Sequence, residues 1–288
     1  MKNILFAGLV AGSLLFTSCG DKKADTGVEK GNLKANEAVD NWAKDASDGR
    51  VASLWDSLPA SYQSEISGSV HSVGDKIDAD VYNEAMKTMS AATALLKSKK
   101  SMILEMAKEQ GLKSEMDKVD DVSASYDSIV GLINAIATSD AKDVDGLKKL
   151  DMAKFLGDIQ EHTKSLMELA ALAPGGEENM AKLKAATATL LSESGDSAEV
   201  EMTVDGSTKK VTLVKKEDRW MPEDMVKDWP DMMKSAKEAI GEMADMQPVE
   251  KEKVLSVLRM AQAAIKELEG ANTKEEMQKK MEEFMGGI

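Results

Sequence analysis

From about residue 33 the apolar positions recur at helical spacing almost to the end of the chain. Ala38, Trp42 and Ala46 begin one face, which Asp48-Gly49 interrupts. Val51, Leu54, Trp55 and Leu58 form a second short piece closed by Pro59. A longer helix is expected from about Asp78, with Tyr82, Met89, Leu96 and Ile103 seven apart and Ala85, Ala92 and Met106 beside them. That seam is narrow, like a coiled-coil face, and Lys99 breaks it, so a bend is expected near 98–101. Further helices are expected over 122–137 and 152–172. The second carries Phe155, Ile159, Leu166 and Leu169 and stops at Pro174-Gly175-Gly176. Residues 179–191 read as another amphipathic stretch.

The apolar period then drops to that of a strand. Val200, Met202 and Val204 alternate with polar residues up to Asp205-Gly206, Val211 and Leu213 alternate again, and Lys215-Lys216-Glu217-Asp218 turns into Arg219-Trp220-Met221. A hairpin extended to about three strands is expected, packed on helices because a bare hairpin is marginal in water. Pro222 opens a new helical region with Pro230 and Pro248 as punctuation. Val254, Leu258, Ala261, Ile265 and Leu268 make a stripe ended by Gly270. Thr273 and Glu276 have the spacing of a capping box, with Met277, Met281, Phe284 and Met285 behind it. The expected fold class is α+β, predominantly helical with a small antiparallel β-meander, in a domain over 33–230 followed by a C-terminal helical region over 231–288.

The N-terminus has a different character. Met1-Lys2-Asn3 precedes an apolar run from Ile4 to Phe16, then Thr17-Ser18 and the only cysteine, Cys19. The run makes a helix of roughly 20 Å, short of the ~30 Å hydrocarbon core, so it reads as a signal segment. Small residues before a cysteine at this position resemble a bacterial lipoprotein signal; Phe16 departs from the usual Leu. The resemblance implies removal of residues 1–18 and lipidation of Cys19 with fatty acyl chains such as palmitate. Two or three such chains hold firmly at about 0.8 kcal/mol per buried CH₂. Residues 19–32, with Val28 the only aliphatic residue after Cys19, are expected to be a flexible tether. The implied location is the bacterial cell envelope. The outer membrane, periplasmic side, is favoured because Gly20 rather than an Asp follows the cysteine.

Charge and composition exclude several classes. With 37 basic against 51 acidic residues the net charge is −14, which argues against a nucleic-acid partner, since phosphate binding needs basic charge. One cysteine and two histidines leave no disulfide framework and no thiolate zinc site. Neither a zinc helix motif, a P-loop nor a dinucleotide fingerprint occurs. Asp78-x-Asp80 is not a calcium loop. Ser139 to Lys142 and Ser207 to Lys210 match Ser-x-x-Lys but lack the partner motifs of penicillin-binding enzymes, and Gly195-Asp196-Ser197 precedes a hairpin rather than following a buried strand. His162 is expected to pack on an apolar helix face, and His71 lies in a polar helix. No catalytic residue, metal ligand or cofactor is expected, and the chain reads as a non-enzyme.

Asp48-Gly49 followed by Leu54-Trp55, Leu58-Pro59 and Tyr62, together with the late meander ending Lys215-Lys216-Glu217-Asp218-Arg219-Trp220, resembles bacterial NTF2-like domains. That resemblance implies N-terminal helices against a curved antiparallel sheet, enclosing a pocket lined here by Trp55, Tyr62 and Trp220. Asp218 stands where that family carries glycine, and the span between the two blocks reads as helix rather than strand. Two functions stay open. One is a lipid-anchored module whose helices bind another protein, with Trp229, Met232 and Met233 as the contact region. The other is a small-ligand binder. The 20 methionines fit core filling better than copper(I) binding through Met86–Met89 or Met243–Met246. A plastic groove at Met277, Met281 and Met285 is a further reading.

Overall fold

A computed structural model describes residues 33–109, 122–171, 176–242 and 247–286. Among these residues the fold is α+β and mostly helical, with one four-stranded antiparallel sheet. The chain divides into two compact units: one comprises the chain up to Val73 and Leu150–Met243, the other Gly74–Lys149 and Ala244–Ile288. This corrects the expected boundary at 230/231, which falls inside a continuous helix, Glu223–Glu242. Periodicity locates elements but does not say which of them pack together.

The first unit opens with α1 (Ala35–Ser47), α2 (Val51–Ser57) and α3 (Ala60–Lys76), whose last residues pass into the second unit. Gly49 links α1 to α2 in the left-handed region, φ +58°, which a side chain rarely adopts. In the second unit follow α4 (Ala79–Ser98), α5 (Lys100–Ala107), α6 (Val122–Thr138) and α7 (Val144–Leu147). The first unit resumes with α8 (Met152–Ala171), α9 (Gly176–Lys184), β1 (Thr187–Ser194), β2 (Ser197–Val204), β3 (Ser207–Lys216), β4 (Arg219–Pro222) and α10 (Glu223–Glu242). Finally α11 (Pro248–Glu269) and α12 (Lys274–Gly286) complete the second unit.

The sheet is a simple meander in the order β1-β2-β3-β4, one strand more than expected. The added strand β1 takes the second half of the stretch read as helical over 179–191. There Thr187-Ala188-Thr189-Leu190 alternates, and β-branched Thr suits a pleated strand. Its turn into β2 holds Gly195 at φ +59°. Val200 pairs with Leu190 and with Val211, and Ala198 with Leu213. One face is thus apolar, while Glu199, Glu201, Lys210 and Thr212 lie on the other. The β2–β3 turn at Asp205-Gly206 (φ 54°, 70°) and the β3–β4 turn at Glu217-Asp218 (φ 50°, 60°) each place two residues at positive φ, as type I′ turns require.

Helix α1 covers the apolar face at one end. Ala35, Ala38 and Val39 bury against Ala188, Ala198, Val200, Leu213 and Trp220, the Trp220 indole N–H donates to the Leu33 carbonyl (3.0 Å), and the Ala188 amide donates to Asp40 (2.8 Å). A second cluster joins Tyr62, Met221, Trp229 and Met233. Asp45 and Asp48 both pair with Arg50 at 2.8 Å, and the Thr163 hydroxyl of α8 donates to the Gly49 carbonyl (2.7 Å). Together they pin the α1–α2 corner.

In the second unit α4 packs chiefly against α11 and α6. Lys99 ends α4 and begins α5; its ammonium donates to the Ala271 carbonyl, so the residue that breaks the seam is held by a backbone acceptor. Asp78 caps α4 through the amides of Asp80 and Val81, and Lys251 bridges Asp78 and Asp80 at 2.8 Å each. The capping box at Thr273 forms with one change: the Glu276 amide donates to the Thr273 hydroxyl, while the Glu276 carboxylate takes the amide of Asn272. A Cβ on Gly146 would lie 1.7 Å from the Asp140 carbonyl oxygen, so only glycine lets the chain close there.

Candidate functional site

The first unit holds an apolar cavity of about 1000 Å³ that is partly open to solvent. Helical stripes build its wall. In α1 they are Val39, Trp42, Ala43 and Ala46; in α2, Val51, Leu54 and Trp55, continued by Leu58; in α3, Ile66, Ser69, Val70 and Val73; in α8, Met152, Phe155, Leu156 and Ile159. Each follows i, i+3, i+4, i+7, the spacing of one helix face. Met202, Val204, Val211 and Leu213 of the sheet close another side. The second half of α10 supplies Met233, Ala236, Ala239 and Ile240. Ala236, Ala239 and Ile240 are only half-buried, as are Met202 and Val211: they border space rather than neighbouring side chains.

Helix α10 is held at its first half. Trp229 lies flat on Tyr62, ring centroids 3.8 Å apart and planes within 7°, and donates its indole N–H to Glu65 (2.9 Å). Lys216 sits 5.2 Å from the Tyr62 ring. Burial raises the Tyr62 pKa, with the carboxylates of Glu65 and Glu217 adding to it. Glu217 faces the Ser61 hydroxyl and accepts from the Ser61 amide at 2.9 Å, which holds its carboxyl below the usual range. Pro230 lies inside α10 and is exposed. Its ring removes the amide hydrogen that would reach the Val226 carbonyl, yet the buried neighbours Trp229 and Met233 keep the helix continuous.

Sequence reasoning placed the candidates only in part. Trp55 lines the cavity, but Tyr62 stacks on Trp229 instead and Trp220 belongs to the cluster under α1. The contact region expected at Trp229, Met232 and Met233 does not form an exposed patch. Trp229 (4% exposed) and Met233 (8%) are buried, and only Met232 (47%) reaches solvent. His71 Nε2 donates to the Leu150 carbonyl (2.9 Å), and His162 lies 3.3 Å from Glu161; neither lines the cavity. Met86 is buried, as is Met277 in a core with Met106 and Ala271, which is packing rather than a groove. Met243–Met246, the Met285 side chain and Cys19 with the segment 1–32 lie outside the described residues.

Among the described residues no group of three or more His, Cys, Asp and Glu is placed to hold a metal ion, and no helix is long and apolar enough to cross a membrane. The lining missed by sequence reasoning, on α3, α8 and α10, was visible only as apolar stripes. Compared with protein-family models, curated proteins and solved structures, the chain matches none.

Proposed function

We propose that this is a lipid-anchored envelope protein whose first unit binds an apolar small molecule in the cavity between its helices and sheet. The cavity carries the reading. A sealed, empty void of about 1000 Å³ would cost about 24 kcal/mol at ~24 cal/mol per Å³, more than the ~5–15 kcal/mol that stabilises a whole domain. Water is no remedy, since a wall of Leu, Val, Met and Trp offers it few partners. The lining therefore suits a site open to solvent at the exposed end of α10 and filled by an apolar guest. Its size stands at the upper end of the ~300–1,000 Å³ typical of ligand pockets. A cavity between N-terminal helices and an antiparallel sheet is also what the likeness to NTF2-like domains implies. Anchoring rests on Cys19 and its preceding residues alone.

The neutral fluorophore N-phenyl-1-naphthylamine tests the reading. The protein should bind it with enhanced fluorescence. Ala239→Trp on α10 and Val70→Trp on α3, which fill the space from two walls, should each weaken binding about tenfold without lowering the unfolding midpoint. Binding unaltered in both variants would refute the site. For the anchor, Cys19→Ala should abolish fatty-acid labelling and membrane retention; labelling that persists would refute it.

A further inference from the structure

The cavity's charge pattern narrows the class of ligand, an inference that rests on its being a binding site. Among the described lining residues there is no Lys, Arg or His. Two of its hydroxyls bond back to their own helices, Ser57 to the Ser53 carbonyl (2.8 Å) and Ser69 to the Glu65 carbonyl (2.9 Å), and the third, Ser235, is exposed on α10. A phosphate or carboxylate carried inside would shed its water and meet no cationic group there. Among the described lining residues the charged groups are Glu238 and Glu242, both exposed, on the last turns of α10. That last turn carries no basic residue, and a helix C-terminus itself presents negative partial charge. Glu238 lies 3.8 Å from Lys234, one turn back on the same helix, which offsets part of its charge. Glu242 stands a turn further on, so the solvent end of this apolar site is electronegative.

We infer that the ligand is a long-chain amphiphile with a cationic head group, its hydrocarbon in the cavity and its ammonium beside Glu238 and Glu242. A neutral head is tolerated and an anionic head is disfavoured, by repulsion outside and by the lack of a cationic partner within. Such a ligand satisfies both features of the site at once.

The test displaces N-phenyl-1-naphthylamine from the full chain with dodecyltrimethylammonium, dodecyl maltoside and dodecanoate, each below its micelle concentration. Affinity should fall in that order, with the cationic head about tenfold tighter than the neutral one at low salt, as two partly solvated carboxylates give. Glu238→Gln with Glu242→Gln should bring the cationic and neutral compounds within about twofold, chiefly by weakening the cationic one. Salt near 1 M, where the screening length is about 3 Å, should do the same. Dodecanoate binding as tightly as dodecyltrimethylammonium, or a cationic preference that survives the double substitution, would overturn the inference. Failure of the fluorophore and of all three amphiphiles to bind would instead overturn the site itself.

Discussion

Replacing Trp229 tests whether one aromatic stack holds α10 in place over the cavity. The side chain is 4% exposed and lies flat on Tyr62 at 3.8 Å. A buried tryptophan covers roughly 150–250 Å², and at about 25 cal/mol per Å² its removal forfeits about 4–6 kcal/mol before relaxation. Partial collapse lowers the expected cost of Trp229→Ala to about 4 kcal/mol. Trp229→Phe keeps a ring against Tyr62 and loses the indole hydrogen bond to Glu65. Glu65 is exposed and regains water, so the loss should be about 1–2 kcal/mol. A cycle with Tyr62→Leu should give a coupling of about 1 kcal/mol. Urea unfolding of the full chain by circular dichroism reads these values, analysed as two transitions if the units unfold separately. Bound N-phenyl-1-naphthylamine should also dissociate faster from Trp229→Ala as α10 loosens. A cost below about 1 kcal/mol for alanine, or equal costs for alanine and phenylalanine, would refute the claim that the stack secures the helix.

Asp218→Gly should stabilise the protein by about 0.5–1 kcal/mol. The φ of +60° strains any side chain by roughly 1–2 kcal/mol, and glycine's unfolded-state freedom offsets part of that gain. A lowered thermal midpoint would contradict it, and Glu217→Gly should bring no such gain because it forfeits the bond to the Ser61 amide. Lys251 beside Asp78 holds that carboxyl below its ordinary range. The contribution is therefore complete above the unfolded value near ~3.9 and is lost as pH falls through the lower folded value. The second unit should lose stability on acidification below about pH 4, less steeply in Asp78→Asn, which still caps α4. An unchanged pH profile in that variant would rule Asp78 out.

Much of the fold was legible because its signals are local. Asp48-Gly49 marked a turn, and Gly49 takes the positive φ that glycine allows. Lys99 marked the junction of α4 and α5, and Asp205-Gly206 a hairpin turn. The first strand was missed because its alternation is carried by Thr and Ala, too weakly apolar to separate it from the helix α9 that precedes it. The Glu217-Asp218 turn was readable in position but not in strain, since neither residue announces a positive φ. Domain organisation was misplaced at Pro230. Proline disfavours a helix interior by about 3 kcal/mol, yet burial of Trp229 and Met233 on either side outweighs it.

The helical stripes, the late meander and the lipoprotein-like start were legible because each depends on the order of neighbouring residues, and the net negative charge because it depends on composition alone. That the stripes of α1, α2, α3, α8 and α10 border one shared cavity, besides packing on one another, is a property of the assembled unit. A stripe at i, i+3, i+4, i+7 reports that a helix face avoids water. It cannot report whether the opposite side is another side chain or a void, because that depends on distances between elements far apart in the chain.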